Sequence, residues 1–382
     1  MINSVTFNNF RSFDGLTIPL SQITMLTGTN CVGKTSVLEG LFCLFSETRL
    51  DVLSLSRYNQ AIDFSINKTI NSQLVVISKK TYNYKLFWNE CPTYGQETCS
   101  VEAKDDNNFT RSWSYKRANI ADLDSEMISG SPVQIDSLTE FALWHWITCD
   151  ENNKIKHQTE PPNDQVKRAQ IIVPDGGLYL LPATSSATSK AMNSICRYVD
   201  FASIRLTLHK LPFFMSLLLT EALKIINPKI TDVRFTSTES GLSVVLDGKY
   251  PVALETLGNG AVIWANTLIT IFDVADKFST NVPANMPALI LIDEIGAGIH
   301  YSVMSDIWKY LKAFVEKYPF IQFVVTSHNG DCVRAFCEAF SNEDKATVVR
   351  LHKTAEENKI VPTAYSQKHF SNIISGNWEV RG

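Results

Sequence analysis

One eight-residue run limits what this chain can fold into more than any other. It is Gly28-Thr29-Asn30-Cys31-Val32-Gly33-Lys34-Thr35, preceded by apolar Ile23-Thr24-Met25-Leu26-Thr27 and followed by a helical stretch from Ser36 to Phe45. Strand, glycine-bracketed turn and helix in that order make an anion cradle. Dense phosphate charge needs backbone N–H groups that can approach closely, which glycines at the turn permit. Lys34 adds a mobile cation, and the first amides and positive dipole end of the helix add further attraction. Thr35 offers its hydroxyl to Mg²⁺ between the β- and γ-phosphates. Gly28, Thr29, Asn30, Cys31, Val32, Gly33, Lys34, Thr35 and Ser36 are therefore expected to hold ATP with Mg²⁺.

The bulk properties exclude several alternatives. At 382 residues the chain exceeds one average domain, so one large domain with an insertion or two smaller domains are both expected. Lys and Arg total 35 against 39 Asp and Glu, a net charge of -4, so no global positive field advertises nucleic acid and any such contact must be a local patch. The first residues lack a basic head followed by an apolar core, and the apolar segment Leu211 to Ile226 carries Ser216, Thr220, Glu221 and Lys224 and is too short to span a bilayer. The expectation is a cytoplasmic protein without a membrane partner. Its eight cysteines show no C-x-x-C pair and no Cys/His cluster at zinc spacing, which reads as free thiols.

Along the chain, short apolar runs (Ser4 to Phe7, Leu16 to Pro19, Ile23 to Thr27) alternate with turns, and Leu74 to Ser78 and Tyr82 to Trp88 read as a pair of antiparallel strands. The pattern loosens between about Thr110 and Pro182, where prolines and the Gly176-Gly177 pair interrupt it. Ser186 to Ile226 reads as helical, Pro228 stops it, and Ile230 to Phe235 and Leu242 to Leu246 resume strands.

The second half adds carboxylates. Ala288-Leu289-Ile290-Leu291-Ile292 is an uninterrupted apolar run of the kind buried on both faces in a parallel sheet, and it ends in Asp293-Glu294. Acidic residues at the carboxyl end of such a strand lie at the ligand crevice of a doubly wound sheet. Asp293 would hold Mg²⁺ through water and Glu294 would orient the attacking water. A further strand, Ile321 to Thr326, ends in Ser327-His328, and an imidazole there would contact the γ-phosphate or position the water. Gly258-Asn259-Gly260 precedes the apolar helix Ala261 to Phe272 and makes a second anion-binding helix start. One γ-phosphate would use both helix starts if the second came from a partner molecule, a head-to-tail sandwich of two subunits around two nucleotides.

This set, in this order, resembles the ATP-binding-cassette (ABC) type ATPases of the RecF, SMC and OLD group, and within it the small stand-alone AAA family ATPases. Phe7-Asn8-Asn9-Phe10-Arg11-Ser12-Phe13 is similar to the group's opening strand motif, which implies a nucleotide-proximal Arg11. Gly258-Asn259-Gly260 resembles the signature motif that acts in trans. Asp293-Glu294-Ile295-Gly296-Ala297-Gly298-Ile299-His300 resembles Walker B with its D-loop, and Ser327-His328 the H-loop. The resemblance also implies a Q-loop glutamine on Mg²⁺, for which Gln60 is the candidate and Gln73 the alternative. Cys31 stands where the family usually has Gly or Ser, Gly296 where it often has Glu, and no Arg follows the signature glycines.

The implied fold is an α/β P-loop NTPase. An ABC-type ATPase head with an antiparallel β-lobe would span 1–114 and 186–382, and 115–185 would form an inserted, partly helical lid subdomain with a flexible loop. The implied function is an ATP-hydrolysing switch: ATP closes a homodimer or higher oligomer, and closure controls a separately encoded effector protein, as in nuclease-less ATPases of bacterial anti-phage systems. The alternative is a genome-maintenance ATPase that binds DNA, for which Arg111-Ser112-Trp113-Ser114-Tyr115-Lys116-Arg117 interleaves basic and aromatic residues. A nuclease is disfavoured, because Asp105-Asp106 and Asp122-Leu123-Asp124 lie neither at the end of an apolar strand nor near a His.

Overall fold

The computed structural model describes residues 1–45, 98–106, 196–199, 213–235, 242–281, 288–354 and 359–376, together with the strand backbones of 64–70, 73–79, 110–119, 140–144, 146–149, 155–158, 170–172 and 178–180. The chain divides into two compact units. One comprises Met1–Asn3, Ile18–Glu47 and Asn193–Gly382, the other Ser4–Thr17 and Thr48–Met192.

The first unit is built on a six-stranded sheet in the order Cys196–Val199, Ala288–Ile292, Ile321–Thr326, Ile23–Thr27, Ala346–Lys353, Ile360–Ser366. Every neighbouring pair is parallel except the last. All residues of the three central strands are buried, which is why they read as continuous apolar runs instead of alternating ones. The strand ending in Asp293 is separated from the one entering the phosphate loop by Ile321–Thr326 alone. That order brings together at one crevice the carboxyl ends of strands that close at Thr27 and Ile292 in the sequence.

A polar exception in this sheet has a local reason. Gln322, fully buried, accepts from the Ile2 amide at 3.1 Å and donates to the carbonyls of Ile2 at 2.7 Å and Ser21 at 2.9 Å. Its amide thereby imitates a strand partner for the start of the chain and leaves little buried polar capacity unmet.

Helices α1 (Lys34–Phe45), α2 (Phe213–Leu223), α3 (Asn259–Asn281), α4 (Tyr301–Lys317), α5 (Gly330–Ala339) and α6 (Gln367–Ser375) accompany the sheet. The apolar face of α4 follows helical spacing through Met304, Ile307, Trp308, Leu311, Phe314 and Val315, all buried. Trp308 is fully buried, donates from its indole nitrogen to the Cys332 carbonyl at 3.1 Å, and meets Phe336 of α5 edge to face at 5.0 Å. Trp308→Ala is expected to cost about 3–5 kcal/mol of unfolding free energy, measured by urea denaturation, because it leaves a cavity between α4 and α5. A three-stranded antiparallel sheet, Ile230–Phe235, Leu242–Leu246 and Pro251–Ala253, leads into α3.

A seven-stranded sheet, most of whose residues belong to the second unit, has the order Leu178–Leu180, Gln170–Ile172, Glu140–Trp144, Thr110–Asn119, Thr98–Asp105, Ile2–Asn8, Leu16–Pro19. The pairings from Leu178–Leu180 through to Thr98–Asp105 are antiparallel. Phe7, Phe10 and Phe13 are fully buried, with Phe7 at 5.7 Å from Phe10 and 5.2 Å from Phe13 between ring centroids. Phe10 and Phe13 exchange backbone hydrogen bonds across a turn in which Asn9 and Arg11 take positive φ of 48° and 56°. The spacing of the aromatic residues in the opening motif is thus the packing of a tight turn. Every described element between 115 and 185 is a strand segment.

One sequence expectation is corrected, and a second gains a partner strand. Ser186 to Ile226 is not one helical stretch: Cys196–Val199 is a strand that pairs with Ala288–Ile292 in the parallel sheet, and among the described residues of this range Phe213–Leu223 forms the α-helix. Four residues are too few to show a strand period, so pairing with Ala288–Ile292 decides their state. Leu74 to Ser78 is a strand, and it pairs with Phe64–Ile70 in a hairpin. The polar Asn67-Lys68-Thr69 stretch concealed that partner, and Tyr82 to Trp88 lies outside the described residues.

Candidate functional site

The phosphate loop begins where Ile23–Thr27 leaves the sheet. Gly28, Cys31 and Gly33 have φ of 139°, 65° and 90°, so three residues of the loop sit in backbone territory that favours glycine. Cys31 occupies it with a side chain and is exposed. At Gly28 a Cβ would lie 2.2 Å from the Leu351 carbonyl oxygen, so the loop is pressed against the strand Ala346–Lys353. Gly28→Ala is expected to lower unfolding free energy by at least ~2 kcal/mol and to abolish nucleotide binding, since both the clash and the φ move the loop off that strand. Chemical denaturation and a fluorescent-nucleotide titration check the two halves.

Helix α1 follows, its Val37 amide donating to Gly33 at 3.0 Å. The amides of its first turn have no acceptor within the helix and carry its positive end, which is the property an anion site needs. Lys34 is buried and donates to the Gly28 carbonyl at 2.9 Å and the Thr29 carbonyl at 3.0 Å. Burial pushes its pKa down, and Glu294 and Asp293, with Cys31 behind them, work against that shift. Both carboxylates therefore sit within electrostatic reach of the ammonium.

Asp293 is held by three hydroxyls. Thr35 and Thr326 donate to its Oδ1 at 3.1 and 2.7 Å, and Tyr198 donates to Oδ2 at 3.3 Å. Burial raises its pKa, the hydroxyls of Thr326, Thr35 and Tyr198 oppose the rise, and the Glu294 charge adds to it. Glu294 turns the chain sharply at φ 57°, stabilised by its amide donating to Thr326 Oγ1 at 2.8 Å and its carbonyl accepting from Ala297 at 2.8 Å. His328 Nδ1 lies 2.6 Å from Glu294 Oε2. An ionised carboxylate only accepts, so Nδ1 is the donor in that pair.

Thr35, Asp293, Glu294 and His328 are thus brought together beside Lys34. The signature-like turn is not part of that cluster. Gly258, at φ 93°, and Asn259 are exposed at the start of α3, whereas Gly260 is buried with its Cβ position 2.2 Å from the Gly298 carbonyl oxygen. The signature-like turn therefore packs on the loop that follows Glu294 in its own chain. Arg11 belongs to the second unit, and Gln60 lies outside the described residues. Gln73 opens a strand of the hairpin. Thr326 and Tyr198 were missed by sequence reasoning. A hydroxyl ending the strand next to Ala288–Ile292 was a signal for Thr326, and nothing marked Tyr198.

Thr35 and Asp293 provide hard oxygen donors of the kind Mg²⁺ takes, and among the described residues no cluster of three or more His, Cys, Asp or Glu would hold a metal by itself. Two protein oxygens and a polyphosphate are the usual way Mg²⁺ is bound, so the residues fit the ion.

A parallel-dominated sheet, a glycine-bracketed loop entering a helix, and paired carboxylates one strand away define a P-loop NTPase fold. Residues 1–167 match the family model for an AAA ATPase domain. The SMC head domain from Thermotoga maritima is similar at a TM-score of 0.45 and 10% identity, covering 96% of this chain and 99% of that one. No curated protein matches the chain. Among the described residues no helix is long and apolar enough to cross a membrane.

Proposed function

We propose that the protein is a Mg²⁺-dependent ATPase switch whose site residues are Gly28 to Ser36, Asp293, Glu294 and His328. The observation that carries this reading is the meeting of Thr35 Oγ1 with Asp293 Oδ1 at 3.1 Å while Glu294, the next residue, is oriented by His328 at 2.6 Å. Phosphate-gripping and water-orienting groups come from different strands and converge.

In this mechanism the backbone of Gly28 to Gly33 and the amides opening α1 bind the β- and γ-phosphates, and Lys34 exchanges its contacts with the Gly28 and Thr29 carbonyls for phosphate oxygens. Thr35 and Asp293 would hold Mg²⁺, which when bound neutralises charge on the β- and γ-phosphates. Glu294 accepts a hydrogen bond from the attacking water and aligns it with the γ-phosphorus. His328 keeps that carboxylate turned toward the reacting centre.

Exposed Gly258 and Asn259 are available to a second copy, which supports nucleotide-dependent dimerisation through a signature acting in trans. Arg11 near the nucleotide and Gln60 on Mg²⁺ belong to the same reading. The motif set's resemblance to nuclease-less defence ATPases supports an effector protein as the controlled partner and a cytoplasmic setting. Light scattering tests the switch: mass in solution should double with ATP and Mg²⁺ and return with ADP. An unchanged mass in both nucleotides, or no phosphate release, overturns it.

A further inference from the structure

We propose that Thr326 is a positioning residue that registers both acidic residues of the site: its hydroxyl donates to Asp293 Oδ1 at 2.7 Å and accepts from the Glu294 amide at 2.8 Å. The proposal rests on the ATPase reading. A hydroxyl has one proton to give and lone pairs to receive, so a single group serves both neighbours at once. Thr326 is fully buried, so water does not compete for either bond.

The backbone completes the grip. The Thr326 carbonyl accepts from the Ile295 amide at 3.1 Å, so the bend at Glu294, with φ 57°, is held on both sides by one residue. Thr326 also pairs with Leu26 of the strand that enters the phosphate loop, and the Ser327 amide donates to the Leu26 carbonyl at 3.1 Å. Its position is thus set relative to the loop. Two residues further on, His328 meets the carboxylate end of Glu294. Glu294 is held at its amide by Thr326 and at its carboxylate by His328, while Asp293 shares the same hydroxyl. The strand Ile321–Thr326 therefore decides where the two carboxylates stand with respect to bound phosphate.

Valine replaces threonine at nearly constant volume and keeps the β-branch that suits a strand, so Thr326→Val removes the hydroxyl selectively. Supporting groups of this kind typically contribute about 10–100-fold in metal affinity or rate. Thr326→Val should lower kcat at least ~30-fold and weaken Mn²⁺ binding to the ATP-loaded protein about tenfold, with metal-free ATP affinity within about threefold of wild type. Thr326→Ser, which restores the hydroxyl, should recover kcat to within about threefold. Thr326→Cys, of similar size with a weak donor and acceptor, repeats the test if the valine variant does not fold. Wild-type Mn²⁺ affinity and kcat in the valine variant overturn the proposal, and so does a serine variant as slow as valine. If the wild-type chain releases no phosphate, the ATPase reading fails separately, and the Mn²⁺ comparison alone decides the role of Thr326.

Discussion

Replacing Glu294 with glutamine is expected to slow ATP hydrolysis at least ~100-fold, about 2.7 kcal/mol of barrier, while ATP·Mg²⁺ affinity stays within about threefold. Glutamine keeps the length and the hydrogen bond to His328 but loses the charge that polarises the attacking water. It leaves Lys34, Thr35 and Asp293 untouched, so binding and turnover separate. The bound state then persists, and light scattering with ATP should show a dimer that outlasts that of the wild type. Single-turnover phosphate release measures the chemical step directly. Equal rates for the two proteins would remove Glu294 from the mechanism. The left-handed backbone at Glu294 is unaffected by this exchange, since both residues carry the same branching at Cβ.

Lys34→Ala should weaken ATP binding at least ~100-fold, again about 2.7 kcal/mol, because it removes the cation that offsets a triphosphate beside Asp293 and Glu294. The two carboxylates that partly restore the Lys34 charge against burial would then face the polyphosphate without compensation. The Gly28 and Thr29 carbonyls also lose their donor, which costs about 1–3 kcal/mol of stability and must be separated from the binding effect by far-ultraviolet circular dichroism. Lys34→Arg should not rescue binding, since a planar fork does not fit where a compact ammonium reaches two carbonyls. Isothermal titration with ATP provides the number. An unchanged dissociation constant in the alanine variant would contradict the assignment of this loop.

Much of the first unit was legible because its central strands are buried on both faces. Ile23–Thr27, Ala288–Ile292 and Ile321–Thr326 match the runs read from sequence residue for residue, since a doubly covered strand is dominated by apolar side chains. The acidic pair and the histidine were legible for the complementary reason, being polar groups placed where each run stops. What followed His328 was not assigned. Helices α5 and α6 and the strands Ala346–Lys353 and Ile360–Ser366 alternate partly buried positions, and their pairing is with residues far away in sequence. The edge strand Cys196–Val199 was misread because its state comes from its neighbour.

Local chemistry in the chain was sufficient to determine a glycine-bracketed loop between strand and helix, two strand-end carboxylates and an imidazole, because glycine freedom, charge and apolar run length act over a few residues. Only the tertiary structure decided that a threonine and a tyrosine from other strands hold Asp293, that Thr326 fastens the bend at Glu294, and that Gly260 packs against Gly298. Those contacts depend on strand order, and strand order is settled by the burial of the whole sheet, which no short segment encodes.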